Sequence, residues 1–333
     1  MSLETSMPTC LRVQWFVWLP SFVLLLCGAG SVCAAGDLAF AVARLPLSLP
    51  VYVAEAKGYF DAEKLQVKTV DCEIGRQCLD LLLDGKTQLA TTADAPIVIS
   101  SLRGARFAIL ATIATTRNNK IVTRRGRGIT SIADLADRRV GTFVGTSAHY
   151  FLELNLLSSG IDPARVVVLP IQPADAAKAF ASEAVDAVVV FEPFALNVVR
   201  ALGAQAQVVP SRRLPADTWN VVVADALSGQ RELELQGLCR ALDRAMLFIA
   251  SEPAQAREIL RRRLGLDDAA LEWVWKDTHY ALELRQSLVT GLEGQTRWAL
   301  RSGHATGTKP NYLEYIRMGP LSAVRPGAVS IVR

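Results

Sequence analysis

The sequence offers several residues suited to holding a small polar ligand. Gly145, Thr146 and Ser147 form a short turn between a predicted strand and a predicted helix. Such a turn leaves unpaired backbone N–H groups at the positive end of the helix, which favours an anionic or polar group. Alternatively, Thr146 or Ser147 only caps the helix. His149, in the first turn of that helix, either donates to the ligand or lies at the surface.

Five further residues are candidates for ligand binding because they follow predicted strands or mark a returning strand. Arg44 and Ser48 follow the first strand, and an arginine there either grips a carboxylate, nitrate or sulfonate in a bidentate fork or is simply exposed. Asp94 either caps a helix or accepts a ligand N–H. Glu192 either pairs with a ligand ammonium or braces a hinge, and Trp219 either floors a cleft or packs at a hinge.

Little in the sequence predicts catalysis or metal binding. There is no P-loop, no nucleophile elbow and no CxxC pair, and the histidines are dispersed at His149, His279 and His304. We therefore predict no catalytic residue, no cofactor and no metal site. Cys72 and Cys78 form either a local disulfide or two reduced thiols.

Composition limits the classes of partner. The chain has 333 residues, is 51% hydrophobic and carries a net charge of +4, which fits a globular protein with two separate cores. The basic runs Arg124–Arg127 and Arg261–Arg263 are typical of solvated faces. We expect a monomer that does not bind nucleic acid.

The N-terminus has the anatomy of a signal peptide. Residues 13–36 carry no charge, follow Arg12 and end in small side chains, which predicts cleavage after Ala35. A lipoprotein is a weaker alternative because Cys27 follows three leucines. An uncleaved anchor is the third possibility, although Pro20 argues against it. We expect a periplasmic protein.

Beyond Asp37, short apolar strands alternate with helical stretches, which predicts an α/β fold. In such folds ligands lie outside the carboxyl ends of the strands. The loops predicted to meet there are Arg44–Leu49, Thr91–Asp94, Gly145–His149 and Glu192–Phe194.

The order of short motifs resembles the solute-binding proteins of nitrate, sulfonate and taurine importers, together with their thiamine-pyrimidine synthase-like relatives. The motifs that carry the resemblance are Val53–Phe60, Leu83–Lys86, Asp94–Pro96, Ile132–Ala136, Val140–Gly141, Val185–Ala187 and Glu192–Phe194.

This resemblance implies the two-lobed, type II fold of periplasmic binding proteins, with ligand held in an interlobe cleft and hinge closure on binding. We place lobe 1 at 36–119 plus 220–333 and lobe 2 at 120–219, each a mainly parallel sheet flanked by helices, with additional C-terminal helices. The resemblance also implies an inner-membrane permease and its ATPase as partners. The ligand would be a small anionic or zwitterionic solute such as a sulfonate, taurine, nitrate or a pyrimidine precursor.

Two other functions compete with transport. One is a thiamine-pyrimidine synthase-like enzyme, which the resemblance associates with a cysteine-rich motif that this sequence lacks. The other is a periplasmic sensor, which would need a separate signalling partner because the sequence contains no output domain of its own.

Overall fold

A computed structural model describes residues 37–211, 214–228 and 231–332. The predicted signal peptide lies outside these described residues. No helix within them is long and apolar enough to cross a membrane.

The described residues form two β-sheets. The strands are β1 (Leu38–Ala43), β2 (Val67–Cys72), β3 (Leu89–Ala93), β4 (Phe107–Thr116), β5 (Asn119–Arg124), β6 (Arg139–Thr142), β7 (Val167–Pro170), β8 (Ala187–Phe191), β9 (Ala206–Val209), β10 (Asp217–Ala224) and β11 (Thr278–Glu283).

The first sheet has the strand order β11-β4-β10-β3-β1-β2, and the second has the order β7-β6-β8-β5-β9. The chain passes to the second sheet between Thr116 and Asn119 and returns between Val209 and Asp217. We call the first sheet with its packed helices the first lobe, and the second sheet with its helices the second lobe.

Helices flank both sheets. They are α1 (Leu49–Ala56), α2 (Tyr59–Ala62), α3 (Gly75–Leu83), α4 (Asp94–Leu102), α5 (Ser147–Ser158), α6 (Ala176–Ala181), α7 (Phe194–Leu202), α8 (Asp225–Ser228), α9 (Glu232–Ser251), α10 (Pro253–Leu264), α11 (Asp268–Trp275), α12 (Gln286–Arg301) and α13 (Met318–Val324).

Burial explains why the short apolar runs form strands. Every residue of β8, with the sequence AVVVF, is buried, as is typical of a strand covered on both faces by helices. The parallel pairs β1–β2, β1–β3, β6–β7 and β6–β8 fit the expected α/β pattern. Both sheets are mixed, however, because β10 runs antiparallel to β3 and β4, and β5 runs antiparallel to β8 and β9.

One detail of the predicted elements was wrong. Thr91–Asp94 is not a loop, since Thr91, Thr92 and Ala93 complete β3 and Asp94 begins α4. The alternating burial expected of a short strand is missing there because β3 is central and covered on both faces. The C-terminal region has the additional helices that were predicted, and it also adds β11 to the edge of the first sheet next to β4.

Cys72 and Cys78 form a disulfide with a Cα–Cα distance of 5.6 Å. The bridge joins the end of β2 to the first turns of α3. It therefore encloses the short loop that leads into α3, and Ile74 of that loop borders a cavity.

Candidate ligand-binding site

A cavity of about 410 Å³, counting its opening to solvent, lies between the two lobes. Most of its lining comes from the first lobe and the strand β10, and the second lobe contributes three residues. The lining residues are Leu45, Leu47, Ile74, Gly75, Arg76, Ala93, Pro96, Thr116, Asn118, Thr146, Ser147, Phe191, Asp217, Thr218 and Trp219.

The second lobe presents the N-terminus of α5 to this cavity. Thr146 is the N-cap, and its hydroxyl oxygen accepts a hydrogen bond from the Ala148 N–H at 3.3 Å while donating to the Phe143 carbonyl at 2.7 Å. Ser147 is the first helical residue and is buried. Thr146 rather than Ser147 therefore caps the helix, and both residues line the cavity.

The first lobe places a cation beside this helix end. Arg76, in the first turn of α3, donates from Nη1 to the Val144 carbonyl at 3.0 Å. The guanidinium passes so close to Gly145 that a Cβ there would lie 2.5 Å from Nη1. Arg76 and the start of α5 therefore converge on one wall of the cavity and favour an anionic group.

Arg76 was not among the residues predicted from the sequence, where Arg44 was chosen as the anion-binding arginine. Arg44 is exposed and borders a separate groove beside Asp71 and Pro193. Arg44 was chosen because ligands lie at the carboxyl ends of strands in α/β folds. The same reasoning applies to Arg76, since β1 and β2, which precede the two arginines, are parallel strands of one sheet. Arg76 could have been found by extending that rule to the loop after β2.

Two acidic residues add to the polar part of the site, and the first of them is Asp217. It lines the cavity, and its Oδ2 accepts a hydrogen bond from Asn119 Nδ2 at 2.6 Å. Burial raises the pKa of Asp217 well above its usual value, and the charge of Asp94 raises it further. A protonated Asp217 can donate to an anionic ligand, and an ionised one can pair with a ligand ammonium.

Asp94, the second acidic residue, lies directly behind the lining. Its carboxylate accepts hydrogen bonds from the Thr218 N–H and hydroxyl, from Asn220 Nδ2 and from Gln295 Nε2. Burial raises its pKa to about 6, even though these hydrogen bonds act in the opposite direction. Asp94 does not cap α4, because no side chain caps that helix. It orients Thr218, which lines the cavity.

Trp219 forms part of the apolar wall. Its indole Nε1 donates to the buried Ser48 hydroxyl at 3.2 Å, and its ring packs on Gly75 so closely that a Cβ there would lie 2.6 Å from the ring. Ser48 thus contacts the site through Trp219. Of the two roles considered for Trp219, its position in the lining favours a wall of the cleft.

The remaining predicted residues lie away from the cavity lining. Glu192 is buried and accepts hydrogen bonds from Trp273 Nε1 at 2.7 Å and from the Leu196 N–H at 3.1 Å, and burial raises its pKa. His149 points instead toward Glu153 and His304. The dispersion of the histidines along the sequence was therefore a poor guide, because folding brings His149 and His304 together.

The two lobes and the cavity between them define a periplasmic binding-protein fold. This fold is shared with the periplasmic aliphatic sulphonate-binding protein SsuA of Escherichia coli, with a TM-score of 0.72 at 17% identity over 86% of this chain and 98% of that one. The alkanesulfonate-binding protein SsuA of Xanthomonas axonopodis pv. citri, bound to MOPS, superimposes with a TM-score of 0.73 at 16% identity, covering 84% and 97% of the two chains.

The chain belongs to the NMT1/THI5-like family, whose model matches residues 46–256. It is also 23% identical over 269 residues to a putative aliphatic sulfonates-binding protein of Bacillus subtilis (strain 168), an alignment that covers 78% of this chain and 81% of that protein. These findings confirm the resemblance and the fold class predicted from the sequence motifs.

Proposed function

We propose that this protein is the substrate-binding component of an ABC-type importer and captures a small anionic or zwitterionic solute in the interlobe cavity. The observation that carries the proposal is the convergence of Arg76 from one lobe and the N-terminus of α5 from the other on a single cavity. A ligand that contacts both lobes favours the arrangement in which the lobes are closed around it. A membrane partner could then distinguish the ligand-bound protein from the ligand-free one by its shape. The sulfonate-binding relatives support this function.

The lining favours a sulfonate-type ligand. Arg76 and the Ser147 hydroxyl supply donors for an anionic head group, while Leu47, Phe191 and Trp219 supply apolar surface for a short carbon chain. Asp217 offers a second polar contact, and its ionisation would admit the ammonium group of an aminosulfonate such as taurine.

The enzyme alternative receives less support. The relatives that the chain resembles are described as binding proteins, which favours a binding role over an enzyme. A ligand-sensing role would use the same cavity, so only the identity of the partner distinguishes a sensor from a transporter. We propose a permease and its ATPase as that partner.

The proposed location is the periplasm, reached through the predicted signal peptide. N-terminal sequencing of protein recovered from the cell envelope tests this. A mature chain that begins near Gly36 is expected, and an intact Met1 terminus in the cytoplasm would contradict the transport function.

The ligand class is tested by calorimetric titration. We suggest MOPS, a short alkanesulfonate, taurine, nitrate and an aminopyrimidine as ligands, with a simple alkylamine as the control for non-specific binding. Saturable binding of a sulfonate and a smaller radius of gyration in its presence are expected. Binding of the aminopyrimidine alone would favour the thiamine-pyrimidine alternative. If none of the sulfonates, taurine or nitrate binds, the proposal is contradicted.

A further inference from the structure

A second cluster of polar side chains lies outside the cavity lining and joins the two lobes. His149 and Glu153 lie one turn apart on α5 of the second lobe, and His304 follows α12 in the first lobe. One ligand atom from each of the three residues lies within 4.8 Å of the other two. No role in the proposed solute binding accounts for this arrangement.

The shared acceptor is one oxygen of Glu153. His149 Nε2 lies 3.3 Å and His304 Nε2 lies 2.6 Å from Glu153 Oε1. The other oxygen, Oε2, accepts hydrogen bonds from Trp298 Nε1 at 2.8 Å and from the Ser302 hydroxyl at 2.6 Å. These two donors fix the carboxylate so that Oε1 faces both imidazoles.

The three residues differ in their exposure to solvent. His149 and Glu153 are buried, whereas His304 keeps about a fifth of its side chain exposed. The cluster is therefore enclosed on the α5 side and reachable from solvent beside His304.

We propose that His149, Glu153 and His304 form a binding site for a divalent transition-metal ion, with Zn²⁺ the best fit. Two imidazoles and one carboxylate are a ligand set that Zn²⁺ accepts, with a fourth position left for water or another donor. Trp298 and Ser302 orient the carboxylate from behind, as outer partners do in metal sites. The proposal does not depend on which solute occupies the cavity.

The distances allow the site to close with small movements. Ligand bonds of about 2.0–2.1 Å in tetrahedral geometry place neighbouring ligand atoms roughly 3.3 Å apart. The separation of His149 and Glu153 already matches this value. His304 must move away from Glu153 by about 0.7 Å, the difference between 3.3 Å and 2.6 Å, and its ligand atom, which lies within 4.8 Å of that of His149, must reach the same spacing from it. The partial exposure of His304 after the end of α12 permits the shift.

Metal binding also requires a change at His149. Its Nδ1 accepts a long hydrogen bond of 3.4 Å from the Gly145 N–H, so the proton now lies on Nε2. Binding at Nε2 moves that proton to Nδ1 and releases the Gly145 N–H. Because Gly145 precedes the cavity residues Thr146 and Ser147, the ion would join the lobes and alter one wall of the cavity at the same time.

The test is a Zn²⁺ titration of the exported protein after treatment with EDTA and dialysis, in competition with a chromophoric chelator. We expect one Zn²⁺ per chain and a rise in the thermal unfolding midpoint on adding Zn²⁺. His304→Gln should weaken binding by more than the roughly 10–100-fold typical of losing an outer partner, and Ser302→Ala by about that amount. His279→Gln, which changes an exposed histidine on β11, should bind Zn²⁺ like the wild type.

Unfolding of each variant in EDTA separates a binding defect from a folding defect. If His304→Gln does not fold, the comparison of Ser302→Ala with the wild type still decides, since Ser302→Ala keeps all three ligands. Wild-type Zn²⁺ affinity in a folded His304→Gln protein, or no saturable binding by the wild type, would overturn the proposal.

Discussion

Arg76 donates to the carbonyl oxygen of Val144 at 3.0 Å, so a side chain at the start of α3 in the first lobe is bonded to the turn that precedes α5 in the second. A solute held by the helix end and the guanidinium would contact both lobes at this point. We therefore expect Arg76 to contribute to both ligand affinity and lobe closure.

Replacing Arg76 by Gln should weaken solute binding by an order of magnitude or more, because a hydrogen bond to a charged group contributes about 1.5–3 kcal/mol. Calorimetric titration with the best ligand measures the change. Arg44→Gln is the matched control, since Arg44 is exposed beside another groove. Equal affinity in the Arg76 variant and the wild type would remove Arg76 from the site.

A side chain at Gly145 should destabilise the protein. The φ of +78° at Gly145 disfavours other residues by about 1–2 kcal/mol, and a Cβ would also displace Arg76. Gly160→Ala isolates the first effect, because Gly160 has a φ of +74° and open space around it. Denaturant unfolding should show Gly145→Ala to be the more destabilising change, and combining it with Arg76→Ala should reduce the excess. Equal effects at the two glycines would show that the close approach is unimportant.

Substitutions at Thr146 and Ser147 should have different effects, the first on folding stability and the second on ligand affinity. Thr146→Ala removes the cap of α5 and should lower the free energy of unfolding by about 0.5–2 kcal/mol. Ser147→Ala removes only the hydroxyl of a residue that lines the cavity, so it should lower affinity and leave ligand-free stability nearly unchanged. Parallel unfolding and titration experiments on both variants check this, and a Ser147 variant with full affinity would speak against a ligand contact.

Asp94 should make the protein less stable as pH rises from about 4 to 6. Its pKa is raised from 3.8 in an unfolded chain to about 6 in the folded protein, so the stabilisation is complete below the lower value and lost as pH passes through the upper one. The difference corresponds to about 3 kcal/mol. Asp217 and Glu192 have raised pKa values and act in the same direction.

The slope of unfolding free energy against pH isolates the contribution of Asp94. Asp94→Asn should flatten the slope between about pH 4 and 6 even if it lowers stability at every pH, because the amide does not titrate. Identical slopes for variant and wild type would show that Asp94 ionises normally.

Sequence patterns predicted the elements well where local signals are strong. The alternation of strands and helices beyond Asp37 and the strand-to-helix turn at Gly145 and Thr146 were predicted, because apolar runs and glycine mark these features locally. The end of a central strand such as β3 was harder to predict. A strand that is buried on both faces lacks the alternation of apolar and polar residues by which a strand is recognised in a sequence.

The site was less predictable because its contacts join distant segments. Arg76 lies in the first turn of a helix, where an arginine is usually exposed. Only the folded structure shows that its guanidinium lies beside Gly145 of the other lobe. His149 and His304 likewise become neighbours only when the segment after α12 packs on α5. Predictions from strand ends located Thr146 and Ser147 because that signal is contained in one short turn.

The segment that follows the matched family region, residues 257–332, supplies much of what bridges the lobes. Trp273 bonds to Glu192, Asp277 to Lys120, and Trp298 to Glu153. None of these three residues of the segment lines the cavity. We therefore expect substitutions in this segment to change how firmly the lobes hold together without touching the residues that line the cavity.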